Sequence, residues 1–262
     1  MVLDWTADLP GLLALIQGKI FHPPDGWEPH VEILLRWIHF IAGVIWIGHL
    51  YFFNLVNVNL MKALDGPTKG KVIPQLMPRA LWWFRWGALV TVLAGLFYYI
   101  IILHSEPDTW PTFGKWLGVV VVTFVVIFGL LRQSFPAGKG WVLGLIVAAL
   151  VSLMAIALLY LTGGEGMTRH QELRYASSRA LSISIGGGLG LIMLLNVWGV
   201  IWPAQKRIIA WTSDNAEKGT AIPAESAALA RRAFLASRMN TWLSIPMLFF
   251  MATASHYPLL GK

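Results

Sequence analysis

The chain is dominated by uninterrupted apolar runs of about 20 residues, the length at which an α-helix crosses a hydrocarbon core about 30 Å thick. One of them, Leu34 to Asn54, reads LLRWIHFIAGVIWIGHLYFFN and holds two histidines, His39 and His49. Hydrocarbon offers no water to backbone N–H and C=O groups, so a spanning segment must pair them internally, as a helix or a closed barrel. Barrel strands alternate apolar and polar residues, and these runs do not. The expected fold is all-α: a polytopic membrane helix bundle of about six transmembrane helices, with short interfacial or amphipathic helices. Composition agrees, because only 13% of residues are charged, against roughly 25% in soluble domains.

Two regions are expected. Residues 1–30 read as a periplasmic or interfacial N-terminal segment, and residues 31–262 as the transmembrane helical domain. The N-terminal segment lacks a basic start, and a proline interrupts its short apolar run, so a cleavable leader is not expected. Gly11 to Phe21 is compatible with a short helix in the interface. The spans are expected at about 31–60, 81–103, 116–131, 141–161, 180–202 and 241–256. Between the first two, Lys62 to Arg79 reads as a basic loop broken by Pro67, Pro74 and Pro78. Pro203 is expected to stop the fifth span, and Pro246 to kink the sixth. Pro223 to Asn240 has a capping pattern and helical periodicity, which predicts an amphipathic helix leading into the last span. No internal repeat or second domain is apparent.

Charge sets the orientation. With six spans, Lys62, Lys69, Arg79, Arg132, Lys206, Arg207, Arg231, Arg232 and Arg238 share one side. Asp4, Asp8, Asp25, Glu28, Glu32, Glu106 and Asp108 lie on the other. Cytoplasmic loops are enriched in lysine and arginine, so the first side is expected to be cytoplasmic and both termini periplasmic, in a bacterial inner membrane. The net charge of +7 is explained by this topology signal; no nucleic-acid partner is expected, and the lipid bilayer is the primary one. The absence of cysteine excludes disulfides, iron–sulfur clusters, thiolate metal sites and covalently attached heme.

An ionisable residue inside a span is a candidate functional site. His39 and His256 fall at matched depth near the periplasmic side, on different helices, which suits bis-imidazole ligation of a b-type heme iron. Ligation of another metal and plain interhelical hydrogen bonding remain open for the same pair. Arg36, one turn before His39, and Arg179, at the start of the fifth span, are candidate partners for heme propionates. Gly43, Gly48, Gly186, Gly187, Gly188 and Gly190 leave room for a flat ring or for close helix contact. His49 lies deeper, and Asn196 is its expected hydrogen-bond partner. His49 and His104, at the end of the second span, are secondary candidate metal ligands.

The motifs LLRWIHFIAGVIWIG (Leu34 to Gly48), RALWWFRWGA (Arg79 to Ala88), NVWGVIWPAQKRII (Asn196 to Ile209) and SIPMLFFMATASHYP (Ser244 to Pro258) occur in one order along the chain. Together they resemble the urate oxidase N-terminal domain family, the membrane part of a cytochrome c-fused bacterial urate oxidase, which also has short stand-alone members. The start of the first span is also similar to the W-x-H…W-x-G pattern of heme-binding protoporphyrinogen oxidases and copper-resistance D proteins. The resemblance places the family's first-helix histidine at His39 and its HYP histidine at His256. Ser184 stands about where the fused enzymes carry another histidine. The resemblance implies a membrane heme protein in electron transfer, oxidising urate or another small reductant with a separate periplasmic cytochrome c as acceptor, or exchanging electrons with quinone. The competing expectation is a non-catalytic accessory subunit of a larger respiratory or photosynthetic membrane complex.

Overall fold

The computed structural model describes residues 9–16, 23–105, 108–133, 140–162 and 176–260. His22, His170 and the polar segment 163–175 lie outside the described residues. Two compact units are present, Met1–Leu34 and Leu35–Lys262. The first holds the short helix α1 (Leu9–Ile16) and a turn at Gly26, whose φ of 84° is one a side chain rarely tolerates.

No strand occurs among the described residues. Helix α2 (Glu28–Tyr51) passes through a π-helical segment, Phe52–Asn57, into α3 (Val58–Ala63). Next come α4 (Gly66–His104), α5 (Thr109–Arg132), α6 (Gly140–Thr162) and α7 (Ser178–Asn196). A second π-helical segment, Val197–Ile201, joins α7 to α8 (Trp202–Lys218), and α9 (Glu225–His256) completes the bundle.

Five stretches are long and apolar enough to cross a membrane: Glu28–Ala63, Gly66–His104, Thr109–Arg132, Gly140–Thr162 and Ser178–Lys218. The sixth expected span belongs to the 32-residue α9. Asn240, Thr241, Ser244 and Thr253 make that segment less apolar, and their side chains find hydrogen-bond partners within the bundle.

Prolines mark fewer breaks than expected. The basic stretch from Lys62 to Arg79 is not a loop: α4 starts at Gly66 and runs through Pro74 and Pro78. Pro67 sits in the first turn, where the missing N–H has no helical partner to lose. Pro74 and Pro78 each remove one donor, a loss membrane helices tolerate when neighbouring groups re-pair the freed carbonyls. Nor does Pro203 end a helix. It occupies the first turn of α8, just after the π-helical segment, and the chain stays helical to Lys218.

Burial is uneven, and α7 is the hub. Its apolar window is 89% buried, against 11% for the window in Glu28–Ala63. Small residues make this possible: Ser182, Ser184, Gly186 and Gly188 let neighbouring backbones approach α7 closely. A Cβ on Gly188 would lie 3.1 Å from Val120 of α5 and 3.4 Å from Leu158 of α6. The outer helices instead turn apolar side chains outward, among them Trp37, Phe40 and Val44 of α2, Val122 and Val125 of α5, and Leu145 and Leu153 of α6. Apolar faces this extensive suit a lipid surround rather than water.

A buried polar seam crosses the bundle beside the two π-helical segments. The Tyr51 hydroxyl shares a hydrogen bond with Ser244 Oγ at 3.0 Å, and Asn54 Nδ2 donates to Ser237 Oγ at 2.8 Å. Asn196 Nδ2 donates to Asn240 Oδ1 at 2.8 Å, and Asn240 Nδ2 donates to the Met193 carbonyl at 2.9 Å. Asn240 and Asn196 are fully buried. Replacing Asn240 with leucine strands the Asn196 amide, at about 1–3 kcal/mol for a buried unsatisfied group, while the Met193 carbonyl keeps only the Val197 N–H as donor. The expected result is a melting temperature in detergent lowered by several degrees, about 2–4 °C per kcal/mol for a chain near this size. Asn59→Leu, whose amide bonds only the Leu55 carbonyl of its own helix at an exposed position, should leave it unchanged. Equal melting temperatures for the two variants would contradict this assignment.

Candidate functional site

The histidine in the first long helix is held by α4. His39 Nδ1 lies 2.8 Å from the Thr91 carbonyl. A carbonyl only accepts, so Nδ1 carries the proton and Nε2 keeps its lone pair, the arrangement in which a metal-ligating imidazole is oriented by its second nitrogen. The ring packs into the space of a missing side chain. A Cβ on Gly95 would lie 2.9 Å from both Cε1 and Nδ1 of His39. Gly87, two turns earlier on α4, brings the same two helices together, since a Cβ there would lie 3.4 Å from the Ala42 carbonyl.

One turn toward the expected periplasmic end, three helices meet at a single phenol. Arg36 Nε of α2 donates to the Tyr98 hydroxyl of α4 at 2.6 Å, and the Arg179 guanidinium of α7 donates to the same oxygen. Both guanidinium groups also stand over the Tyr98 ring, at 5.2 Å for Arg36 and 5.0 Å for Arg179. The result is a pair of permanent positive charges at one end of the bundle. Such guanidinium groups are suited to a carboxylate, which accepts two parallel N–H bonds.

The two residues expected as propionate partners are therefore brought together, with His39 one turn away. His256 ends α9 and is exposed; no hydrogen bond or ring contact joins it to His39 among the described residues. Its segment does return to the same end of the bundle, because the Leu260 N–H donates to Ser178 Oγ, next to Arg179, at 3.2 Å. His104 is exposed at the end of α4. His49 does not pair with Asn196. Its Nδ1 donates to the Ile45 carbonyl one turn back on its own helix, at 2.7 Å, and Asn196 instead donates to Asn240. The rotational phase of α2 accounts for this, since it is Tyr51 and Asn54 that face the polar residues of α9. No group of three or more His, Cys, Asp or Glu residues able to hold a metal ion occurs among the described residues.

Sequence reasoning missed Tyr98, Thr91 and Gly95. Thr91 acts through its carbonyl, which any residue supplies, and so left no signal. Tyr98 had a faint one: a tyrosine near a span end, at the level expected for two arginines on other helices.

These features define the class: an all-α, polytopic membrane bundle with a histidine and a paired-arginine cluster at one end. The family model described as Urate oxidase N-terminal matches residues 64–262, and the chain belongs to that family. The match takes in Tyr98, Arg179 and His256, whereas Arg36, His39 and His49 precede it. No curated protein and no solved structure matches the chain.

Proposed function

We propose that this chain is a b-type heme protein of the bacterial inner membrane that takes part in electron transfer near its periplasmic face. The observation that carries the reading is the His39 environment: an imidazole with Nδ1 committed to a carbonyl and Nε2 open, one turn from two arginines on one phenol. The residues fit a heme in donor chemistry. His39 and His256 would hold its iron, and Arg36 and Arg179 would pair with its carboxylates. His256, which carries no hydrogen bond among the described residues, is exposed at the end of α9. Heme supplies one-electron chemistry when bound. The polypeptide holds the His39 ring against Gly95, fixes its tautomer through Thr91 and places positive charge at the membrane surface.

In this reading the basic side is cytoplasmic and both termini are periplasmic. Electrons pass between quinone or a partner enzyme and a periplasmic cytochrome c. In the enzyme version, urate or another small reductant is the donor, as the family name suggests. Protein purified from membranes should show a Soret band and a sharp α-band in the reduced-minus-oxidised spectrum. A preparation from heme-replete cells without a Soret band overturns the proposal, and heme-loaded protein that reduces no cytochrome c on addition of urate removes urate as donor.

A second reading, a non-catalytic subunit of a larger membrane complex, draws on the exposure of the first long helix, only 11% buried over its apolar window. Stoichiometric co-purification with a respiratory or photosynthetic complex, without heme, is its signature.

A further inference from the structure

A cleft of about 1010 Å³ opens between α6 and α9, with Ile185 and Leu189 of α7 at its back. Its floor is a row of small residues on α6, Gly140, Gly144, Ala148 and Ser152, spaced so that they share one helix face. A Cβ on Gly144 would meet nothing within 4 Å, so the groove is open there and not sealed by another helix. From Gly140 to Ile156, and from Phe234 to Phe250, the lining spans about 24 Å at ~1.5 Å per residue. That exceeds one leaflet of a hydrocarbon core about 30 Å thick.

The two ends differ chemically. Both helices begin at one end, where Gly140 faces Leu235. This end carries Trp141 and Arg238, Trp242 lies midway along the groove, and the other end is closed by Ile156, Ile185 and Phe250. Arg238 is half-buried, stands 5.3 Å over the Phe234 ring, and is paired with no carboxylate among the described residues. Arg231 falls on the same face of α9 two turns earlier, nearer the membrane surface. The Arg207–Glu225 ion pair marks this end as the side of the basic residues, which the positive-inside rule makes cytoplasmic. Tryptophan and arginine at the mouth of an interhelical groove on that side form a site for an anionic headgroup.

We propose that the α6–α9 groove is a specific site for an anionic glycerophospholipid of the cytoplasmic leaflet, its phosphate on Arg238 and one acyl chain along the Gly144–Ala148–Ser152 floor. The small-residue row alone would equally admit a transmembrane helix of a second copy. A helix seated there would cover the Arg238 guanidinium without supplying a counter-charge, which is costly at low dielectric. A lipid phosphate supplies that charge, and its chain matches the apolar floor. An arginine and a tryptophan toward one end, with neither at the other, also give the ligand a single direction.

The test uses the full-length protein, delipidated in a neutral detergent, with thermal unfolding followed on titration with phosphatidylglycerol, phosphatidylcholine or inorganic phosphate. Phosphatidylglycerol should raise the melting temperature by about 5 °C at saturation, with phosphatidylcholine and phosphate well below that. Arg238→Gln should remove the preference for phosphatidylglycerol. Ser152→Phe, at an exposed position where an added ring displaces no core residue, should abolish the lipid shift while the lipid-free melting temperature stays near that of the parent. Equal shifts from the two lipids overturn the proposal, as does an undiminished preference in Arg238→Gln. An Ala148→Cys variant that forms a disulfide-linked dimer in native membranes also overturns it, because the groove then belongs to a second copy. Native mass spectrometry of the parent protein, retaining one anionic phospholipid that Ser152→Phe loses, supports the site without reference to stability. Each readout is independent of heme binding.

Discussion

Replacing Gly186 with leucine should cost this protein its folded state, whereas replacing Gly190 with alanine, one turn further along the same helix, should be neutral. A Cβ on Gly186 would lie 2.6 Å from Met251 Cε, 3.2 Å from Phe250 Cβ and 3.3 Å from the Met247 carbonyl oxygen. The methionine tip can swing aside, but the carbonyl belongs to the backbone of α9 and cannot. Even alanine must push α7 and α9 apart, at about 1–3 kcal/mol for overpacking. Leucine adds three further heavy atoms to the same gap. Gly190 is equally buried, yet a Cβ there meets nothing within 4 Å. The measurement is the yield of monodisperse protein after detergent extraction, with the melting temperature of what survives. Gly186→Leu should give mostly aggregate, and Gly190→Ala a parent-like profile. A well-behaved Gly186→Leu would mean that α7 and α9 do not approach as closely as a 3.3 Å contact at Gly186 requires.

The second large effect concerns the histidines. His39→Ala should abolish the reduced-minus-oxidised heme spectrum, and His49→Ala should retain it. Both rings place Nδ1 on a backbone carbonyl and leave Nε2 with its lone pair. Location separates them: His39 is one turn from Arg36, which with Arg179 supplies the charge for carboxylates. Gly95→Ala provides a graded version, because its Cβ would come within 2.9 Å of the His39 ring and displace it from the Thr91 carbonyl. That variant should keep less heme per polypeptide and shift the α-band. Full heme content in His39→Ala would rule His39 out as a ligand. If His49→Ala alone lost the bands, the site would lie deeper in the first helix.

Much of the architecture was legible in the residues. Apolar runs of membrane length follow from transfer energetics that each segment satisfies alone. The two arginines were also legible as a pair of candidates, because charge near a span end is rare and positional. What misled was proline. Pro74, Pro78 and Pro203 each remove one N–H, and a local rule reads that as a break. In the folded chain the cost is limited to that donor, and α4 and α8 run on through the surrounding sequence. The Asn196 pairing went to Asn240 instead of His49 because hydrogen-bond partners depend on how two helices are rotated about their axes. No single segment encodes that rotation.

By itself, then, the sequence determined that this chain folds as helices long and apolar enough to cross a membrane, and that nothing in it can ligate through sulfur from cysteine. Length, polarity and residue inventory are properties of segments, and the bilayer acts on segments one at a time. Only the tertiary structure decided which glycine carries the α7–α9 contact, that Arg36 and Arg179 meet on Tyr98, and that α6 and α9 leave a groove ending at Arg238. Each of these depends on the relative rotation and separation of helices distant in sequence, and a shift of one residue in packing register would replace every one of those neighbours.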